Sequence, residues 1–255
     1  MIRRGKTRSA RGFTLTELAV AFVIIALLLG SAMYMLSAQI DQRNFTETRR
    51  RLETARDLVL SYAVVNGRLP CPATAGSAGD ESPAGGATAC TSSYGGWLPA
   101  RTIGYQEVDS GGYAVDSYGN RIRYAVAATT TLCAGSSTAP HFTNGVNLKA
   151  NGITCQPSDL VICKSATGIS GTGCGAGANS LTNQNIVVAV VFSVGKNGAA
   201  GAAGIDEAAN INGDPVFVFH PPVAPGAPNG EFDDQLIWIT SGEFYGRLIA
   251  AGVLP

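Results

Sequence analysis

Histidine is scarce in this chain: its 255 residues include two, His141 and His220. Neither lies in a recognisable serine or cysteine nucleophile motif; His141 falls in a Ser/Thr/Pro stretch and His220 precedes Pro221-Pro222. Catalytic constellations are therefore sparse, and each histidine is expected to be a surface or core residue. No two cysteines are spaced C-x-x-C, so zinc and dithiol redox chemistry are poorly supported. Charge is thin as well, at 14% of residues, and cations are short in most of the chain. From Gly67 to the end there are 8 Lys/Arg against 13 Asp/Glu, with no basic cluster. A phosphate-neutralising groove needs concentrated Lys/Arg, so nucleic acid is not an expected partner of that region. The glycine-rich run 171–177 (GTGCGAG) lacks the Lys-Ser/Thr of a phosphate loop and follows no strand-to-helix pattern. A flexible loop pinned by a disulfide accounts for it.

What the chain does have is concentrated at its start. Residues 1–12 (MIRRGKTRSARG) carry Arg3, Arg4, Lys6, Arg8 and Arg11 and no acid. From Leu18 to Leu36 there follow 19 residues without a charge. At 1.5 Å per helical residue the run spans about 28 Å, close to a bilayer's hydrocarbon thickness. Lipid offers backbone groups no partners, so the segment is expected to be helical. The cationic flank places its N-terminal side in the cytoplasm. A secretory signal peptide and a plain membrane anchor share some of these features. The run is longer than the roughly 7–15 residues of a signal h-region, and Leu36-Ser37-Ala38 is a weak cleavage site.

Glu17 stands at the edge of the apolar run. A carboxylate there is costly unless compensated, which makes it a functional candidate. The free amides and dipole of a helix N-terminus offer partial compensation. The string Arg11-Gly12-Phe13-Thr14-Leu15-Thr16-Glu17-Leu18, with the apolar helix after it, resembles the prepilin leader of type IV pilins and type II secretion pseudopilins. In that family a membrane aspartyl peptidase cuts after the Gly, and the new N-terminal amine is methylated. The resemblance implies cleavage between Gly12 and Phe13 and N-methylation of Phe13. It implies that Glu17, the fifth mature residue, meets the N-terminal amine of a neighbouring subunit during filament assembly. Pairing offsets much of the cost of burying both charges and would select axial register.

Four segments follow from this reading: a basic leader at 1–12, a transmembrane helix at 13–38, an amphipathic extracytoplasmic helix at 39–66 and a β-rich head at 67–255. In the amphipathic part Phe45, Leu52, Ala55, Val59 and Tyr62 form one stripe. Arg49, Arg50, Arg51, Glu53, Arg56 and Asp57 are expected on a solvated or subunit-facing side. Asn66-Gly67 and then Pro70 end the helix. The passage SYAVVNGRLPCPA is also similar to the pseudopilin junction between stalk and head.

In the head, Pro72–Tyr94 reads as a long loop. Strands are expected at Gly112–Val115, Arg121–Ala127, Leu160–Ile162, Ile186–Val194, Val216–Phe219 and Leu236–Thr240, with Ile186–Val194 central and buried. The fold class is therefore α+β: a long N-terminal helix packed on a small antiparallel sheet, with long disulfide-linked loops. Three stretches resemble pseudopilin heads. Val115-Asp116-Ser117-Tyr118-Gly119-Asn120 with Tyr124 is similar to an Asp-Pro-Trp-Gly-x-Pro-x-Tyr segment, without its prolines and with Tyr for Trp. Ser193-Val194-Gly195-Lys196-Asn197-Gly198 is similar to a Ser-x-Gly-x-Asp-Gly loop, and Asp233-Asp234 with Trp238 to the closing acidic strand. The family's last loop region can bind calcium, and Asn197, Asp206, Asn210, Asn212 and Asp214 could supply oxygens. Asx turns explain the same residues, and no metal or other cofactor is expected.

All six cysteines, Cys71, Cys90, Cys133, Cys155, Cys163 and Cys174, follow the apolar run, as an oxidising compartment permits. Three disulfides are expected, with pairing left open. The functional expectation is a non-enzymatic subunit of a type IV pilus-like or type II secretion pseudopilus filament. The large head suggests a minor component. Its expected partners are the prepilin peptidase, other pilin or pseudopilin subunits and assembly machinery, and membrane lipid along residues 13–38. Its expected place is the bacterial inner membrane, N-terminus cytoplasmic and head periplasmic, then a periplasmic or surface filament. A tip adhesin or ligand-binding minor pilin is the alternative; an anchored periplasmic enzyme is a third possibility.

Overall fold

The structure is a computed structural model that describes residues 12–86, 89–129, 140–202 and 204–254, with the backbone alone at 32–35 and 200. Most of the basic leader and Cys133 lie outside the described residues. One helix, α1, runs over Leu15–Asn66, and contacts divide the chain after Asn44 into two compact units.

In the first unit, α1 carries its apolar side chains outward. Phe22, Leu27, Leu28 and Leu29 are all at least 60% exposed. Such a surface is unfavourable in water and suited to hydrocarbon or to other apolar helices. By length and composition this is the one helix among the described residues able to cross a membrane.

The second unit begins inside α1, at Phe45. Leu52, Ala55 and Val59 are fully buried, as the apolar stripe requires, and Thr48, Leu60 and Ala63 join them. The apolar ones among these helical side chains share one core with the four-stranded sheet. Its strands are β1 (Gly96–Trp97), β2 (Arg123–Val126), β4 (Val187–Ser193) and β6 (Gln235–Thr240). They stand in the order β1-β2-β4-β6, every neighbour antiparallel. All seven residues of β4 are buried. A strand covered on both faces reads as a continuous apolar run, which is why VVAVVFS does not alternate. The expected α+β class, with a long helix on a small antiparallel sheet, is what the chain adopts.

Four differences from the expected head have local causes. Gly112–Val115 forms single bridges, Val108 with Ala114 and Val115 with Arg121, in place of a strand. The Asp109 carboxylate accepts from the Gly111 and Tyr113 amides, and that of Asp116 from Tyr118 and Asn120. These side chains take the amides that a ladder would use. Second, β3 (Val161–Cys163) and β5 (Val216–Val218) pair parallel in a separate two-stranded sheet. With α4 (Ile205–Ile211) they build a second small core of Val161, Val216, Val218, Ala209 and Phe232.

Third, the head contains helices. Besides α4 there are α2 (Ala100–Ile103), α3 (Gly145–Asn151) and α5 (Ser241–Ala250). In α5 the Thr240 hydroxyl accepts from the Glu243 amide at 3.3 Å, and Phe244, Tyr245 and Leu248 are buried. Fourth, two arginines expected on the solvated face of α1 fasten the head. Arg51 donates to the carbonyls of Val115 and Asp116 at 3.1 and 2.8 Å, and Arg56 pairs with Glu243. Arg49 and Arg50 stay exposed, paired with Glu53 and Glu47.

The Pro72–Tyr94 passage has no helix or strand among its described residues. It is tied by a Cys71–Cys90 disulfide and by Glu81, which is buried. Glu81 accepts from the Arg68 guanidinium at 2.5 and 2.8 Å, from the Cys71 and Gly85 amides and from the Tyr62 hydroxyl. Burial acts to raise its pKa, but the guanidinium and the two amides hold the carboxyl below its ordinary range. A second disulfide joins Cys163 to Cys174, closing the glycine-rich loop. Cys155 is buried.

Candidate assembly site and the acidic group of the head

At the N-terminus of α1 the first turn is closed by two side chains. Thr14 precedes the helix, and its amide and hydroxyl both donate to Glu17 Oε2, at 2.9 and 2.8 Å. In return the Glu17 amide donates to the Thr14 hydroxyl at 3.3 Å. This is a capping box: the helix-start hydroxyl and the acid three residues on satisfy each other's free amides. The first helical bond, from the Leu18 amide to the Thr14 carbonyl, lies alongside at 3.1 Å. Glu17 is thus folded back over the helix start, and Phe13, just before it, is 87% exposed. Gly12 and Phe13 precede the helix and are exposed. The compensation expected from the helix N-terminus is present, and the spacing Thr14-x-x-Glu17 is the sequence signal for this cap.

In the head, titratable groups gather where the chain between β4 and α4 meets the approach to β6. Glu207 is buried, and accepts from the Asn197 carboxamide at 2.9 and 3.1 Å and from the Asp233 amide at 3.0 Å. Asp233 accepts from the Lys196 and Asn197 amides. Asp234, also buried, accepts from the Asn210 carboxamide at 2.7 Å. One oxygen from each of Glu207, Asp233 and Asp234 falls within 4.8 Å of the others, and this is the group among the described residues that could hold a cation. Burial pushes the Asp233 carboxyl up to about 6 and that of Asp234 up to about 8, and the neighbouring carboxylates add to both.

The oxygens named from sequence do not converge. Asn197 and Asn210 reach this group, but through amide nitrogens. Asp206 turns instead to Asn229 and His220, and Asn212 and Asp214 bond to each other at an exposed turn. Glu207 was missed because 26 residues separate it from Asp233. The resembling loop at 193–198 does fold around Asp233: a Cβ on Gly195 would come within 1.7 Å of Asp233 Oδ1, and its φ is +65°.

Neither histidine stands in a catalytic arrangement. His220 Nε2 meets Asp206 Oδ2 at 3.2 Å, while Ser165 meets the other oxygen of the same carboxylate at 3.3 Å. The carboxylate lies between hydroxyl and imidazole, so the imidazole is not placed to take the serine proton. His141 is fully buried with Nε2 3.1 Å from the Tyr245 hydroxyl. That hydroxyl donates to the Cys155 carbonyl, so Nε2 is the donor to Tyr245.

Residues 7–33 match the model of the prokaryotic N-terminal methylation motif. The motif, with the apolar N-terminal helix, fits a type IV pilin-like protein, the class whose subunits are processed by prepilin peptidase. Compared with curated proteins and with solved structures, the chain finds no significant match in either.

Proposed function

We propose that this chain is a non-enzymatic, minor structural subunit of a type IV pilus-like or type II secretion pseudopilus filament. The observation that carries the reading is the methylation motif lying directly on an exposed apolar helix whose first turn holds Glu17. In this reading prepilin peptidase cuts between Gly12 and Phe13, and the Phe13 amine is methylated. Before assembly the apolar part of α1 spans the inner membrane, with residues 1–12 cytoplasmic and the head periplasmic. On assembly the helices leave lipid for one another, exchanging one apolar environment for another. Glu17 exchanges its Thr14 partners for the N-terminal amine of a neighbouring subunit, so that neither charge is buried alone.

The size of the head supports a minor place, because a bulky head packs poorly in a dense helical array. A ligand-binding or adhesive role for such a subunit is favoured by one feature, the second core. Its disulfide-closed 163–174 loop and the 221–226 stretch are uncharged beyond Lys164 and largely exposed, a surface free to vary.

Mass spectrometry of the mature N-terminus, in cells with and without the prepilin peptidase, tests the reading. N-methylated Phe13 that is lost with the peptidase is the expected result. An intact Met1, or a start near Gln39, overturns it.

A further inference from the structure

The chain contains six Asn-Gly dipeptides, beginning at Asn66, Asn144, Asn151, Asn197, Asn212 and Asn229. In such a pair the glycine nitrogen can attack the preceding carboxamide, and a glycine offers it the least steric hindrance. The fold restrains five of the six. The Gly67, Gly152 and Gly230 amides are engaged with the carbonyls of Ala63, Leu148 and Ala227. The Asn144 carboxamide oxygen caps α3, accepting from the Val146 and Asn147 amides. The Asn197 carboxamide nitrogen is held by both oxygens of buried Glu207.

Asn212, at the end of α4, combines an exposed side chain with a glycine amide that no described group accepts. No atom lies within 4 Å of where a side chain on Gly213 would stand, so that face of the glycine is open, and its φ is +84°. Asp214 bonds both ends of the carboxamide, its amide donating to Asn212 Oδ1 at 2.8 Å and its carboxylate accepting from Nδ2 at 2.7 Å, but at an exposed turn where water competes for both. We propose that Asn212 is the site at which the folded chain undergoes spontaneous deamidation through a succinimide. A solvent base takes the Gly213 amide proton, and the nitrogen bonds to the Asn212 side-chain carbonyl carbon. The carbon–nitrogen bond of the carboxamide breaks and ammonia leaves with a proton from solvent. Water then opens the ring at one carbonyl or the other, leaving aspartate or isoaspartate. One water enters and one ammonia departs, with no change of oxidation state.

Aspartate here sets a new carboxylate against Asp214, which already donates its amide to this side chain. Isoaspartate lengthens the backbone between α4 and β5 by one carbon. Either product makes an acid-rich head more negative, in a subunit that persists in a filament after synthesis.

The test is peptide mapping by mass spectrometry with isoaspartate detection, on the full-length chain in detergent at mildly alkaline pH. The same chain in denaturant gives the rates set by sequence alone, where all six sites are free to react. In the folded chain Asn212 is expected to convert several-fold faster than each of the other five, with isoaspartate in the product. Resistance at Asn212 equal to that of the other five, or earlier conversion at any of them, overturns the proposal.

Discussion

The Thr14 hydroxyl donates to the Glu17 carboxylate at 2.8 Å, so the acid proposed for the assembly contact already has a partner within its own chain. The same oxygen, Oε2, also takes the Thr14 amide, so a neighbour's amine would have to compete with both or use Oε1. Replacing Glu17 with Ala should leave peptidase cleavage largely intact and strip most of the subunit from filaments, since the neighbour's amine would then be buried without a counter-charge. Thr14→Ala should act differently. It costs the helix start about 1 kcal/mol of capping but leaves Glu17 available, so incorporation should persist. Immunoblots of sheared filament and membrane fractions separate these outcomes. Equal incorporation by Glu17→Ala and the parent would remove Glu17 from the assembly contact.

Arg68 and Glu81 form the buried ion pair under the Cys71–Cys90 loop, 2.5 Å apart at their closest. Removing one partner strands the other charge, with the Cys71 and Gly85 amides left facing an empty site in the case of Glu81→Ala. Either Arg68→Ala or Glu81→Ala should destabilise the head by about 3–5 kcal/mol. The double replacement Arg68→Met with Glu81→Leu should recover part of that loss, because no charge is then buried alone although the Cys71 and Gly85 amides still lack their acceptor. The denaturant midpoint of the detergent-solubilised chain gives the comparison. Single variants that unfold at the parent's midpoint would mean that the pair is solvated.

The contrast between α1 and the rest of the chain explains what could be read in advance. The stripe of Leu52, Ala55 and Val59 and the stop at Asn66-Gly67 depend on neighbours along the chain, and the helix indeed ends at Asn66 with Gly67 at φ +66°. The VVAVVFS run likewise announces a strand covered on both faces. The β3–β5 pairing joins Val161 to Val216 across more than fifty residues, and nothing local in either three-residue strand favours a parallel partner. The start of α5 was legible in principle, as Thr240-x-x-Glu243 ahead of Phe244 and Leu248, but it abuts β6 without a break and the strand pattern masks it. At the N-terminus the motif names Glu17, while the acidic group of the head depends on Glu207 meeting Asp233 and Asp234 in space.

Gly195 offers a backbone test of that acidic group. Its φ of +65° suits glycine, and any Cβ there would collide with the Asp233 carboxylate and backbone oxygen. Gly195→Ala should therefore cost about 2 kcal/mol or more, from left-handed strain together with displacement of Asp233. Thermal unfolding of the variant should begin at lower temperature than that of the parent, while Gly104→Ala, also at positive φ but with nothing near a Cβ, should lose less. Equal losses at the two glycines would show that the contact with Asp233 carries no weight.

Acidification should loosen the head through His141. Burial pushes this imidazole down to about 4 from an ordinary value of 6.5. The unfolded chain therefore takes up a proton between pH 6.5 and 4 that the folded chain refuses. Stability contributed by the neutral imidazole is complete above pH 6.5 and is lost as pH falls toward 4, by about 3 kcal/mol over that window. Nε2 keeps its bond to Tyr245 throughout, so the loss comes from charging a desolvated ring and not from a broken contact. The carboxyls of half-buried Asp233 and buried Asp234 slope the other way, being raised, and favour the folded state as pH falls below their values. The measurement is accordingly a difference: denaturant midpoints of the parent and of His141→Gln at pH 7, 5.5 and 4. The variant should be the less stable at pH 7, where it loses packing, and the gap should narrow or reverse by pH 4. A gap that stays constant with pH would mean that His141 titrates alike in the folded and unfolded chains.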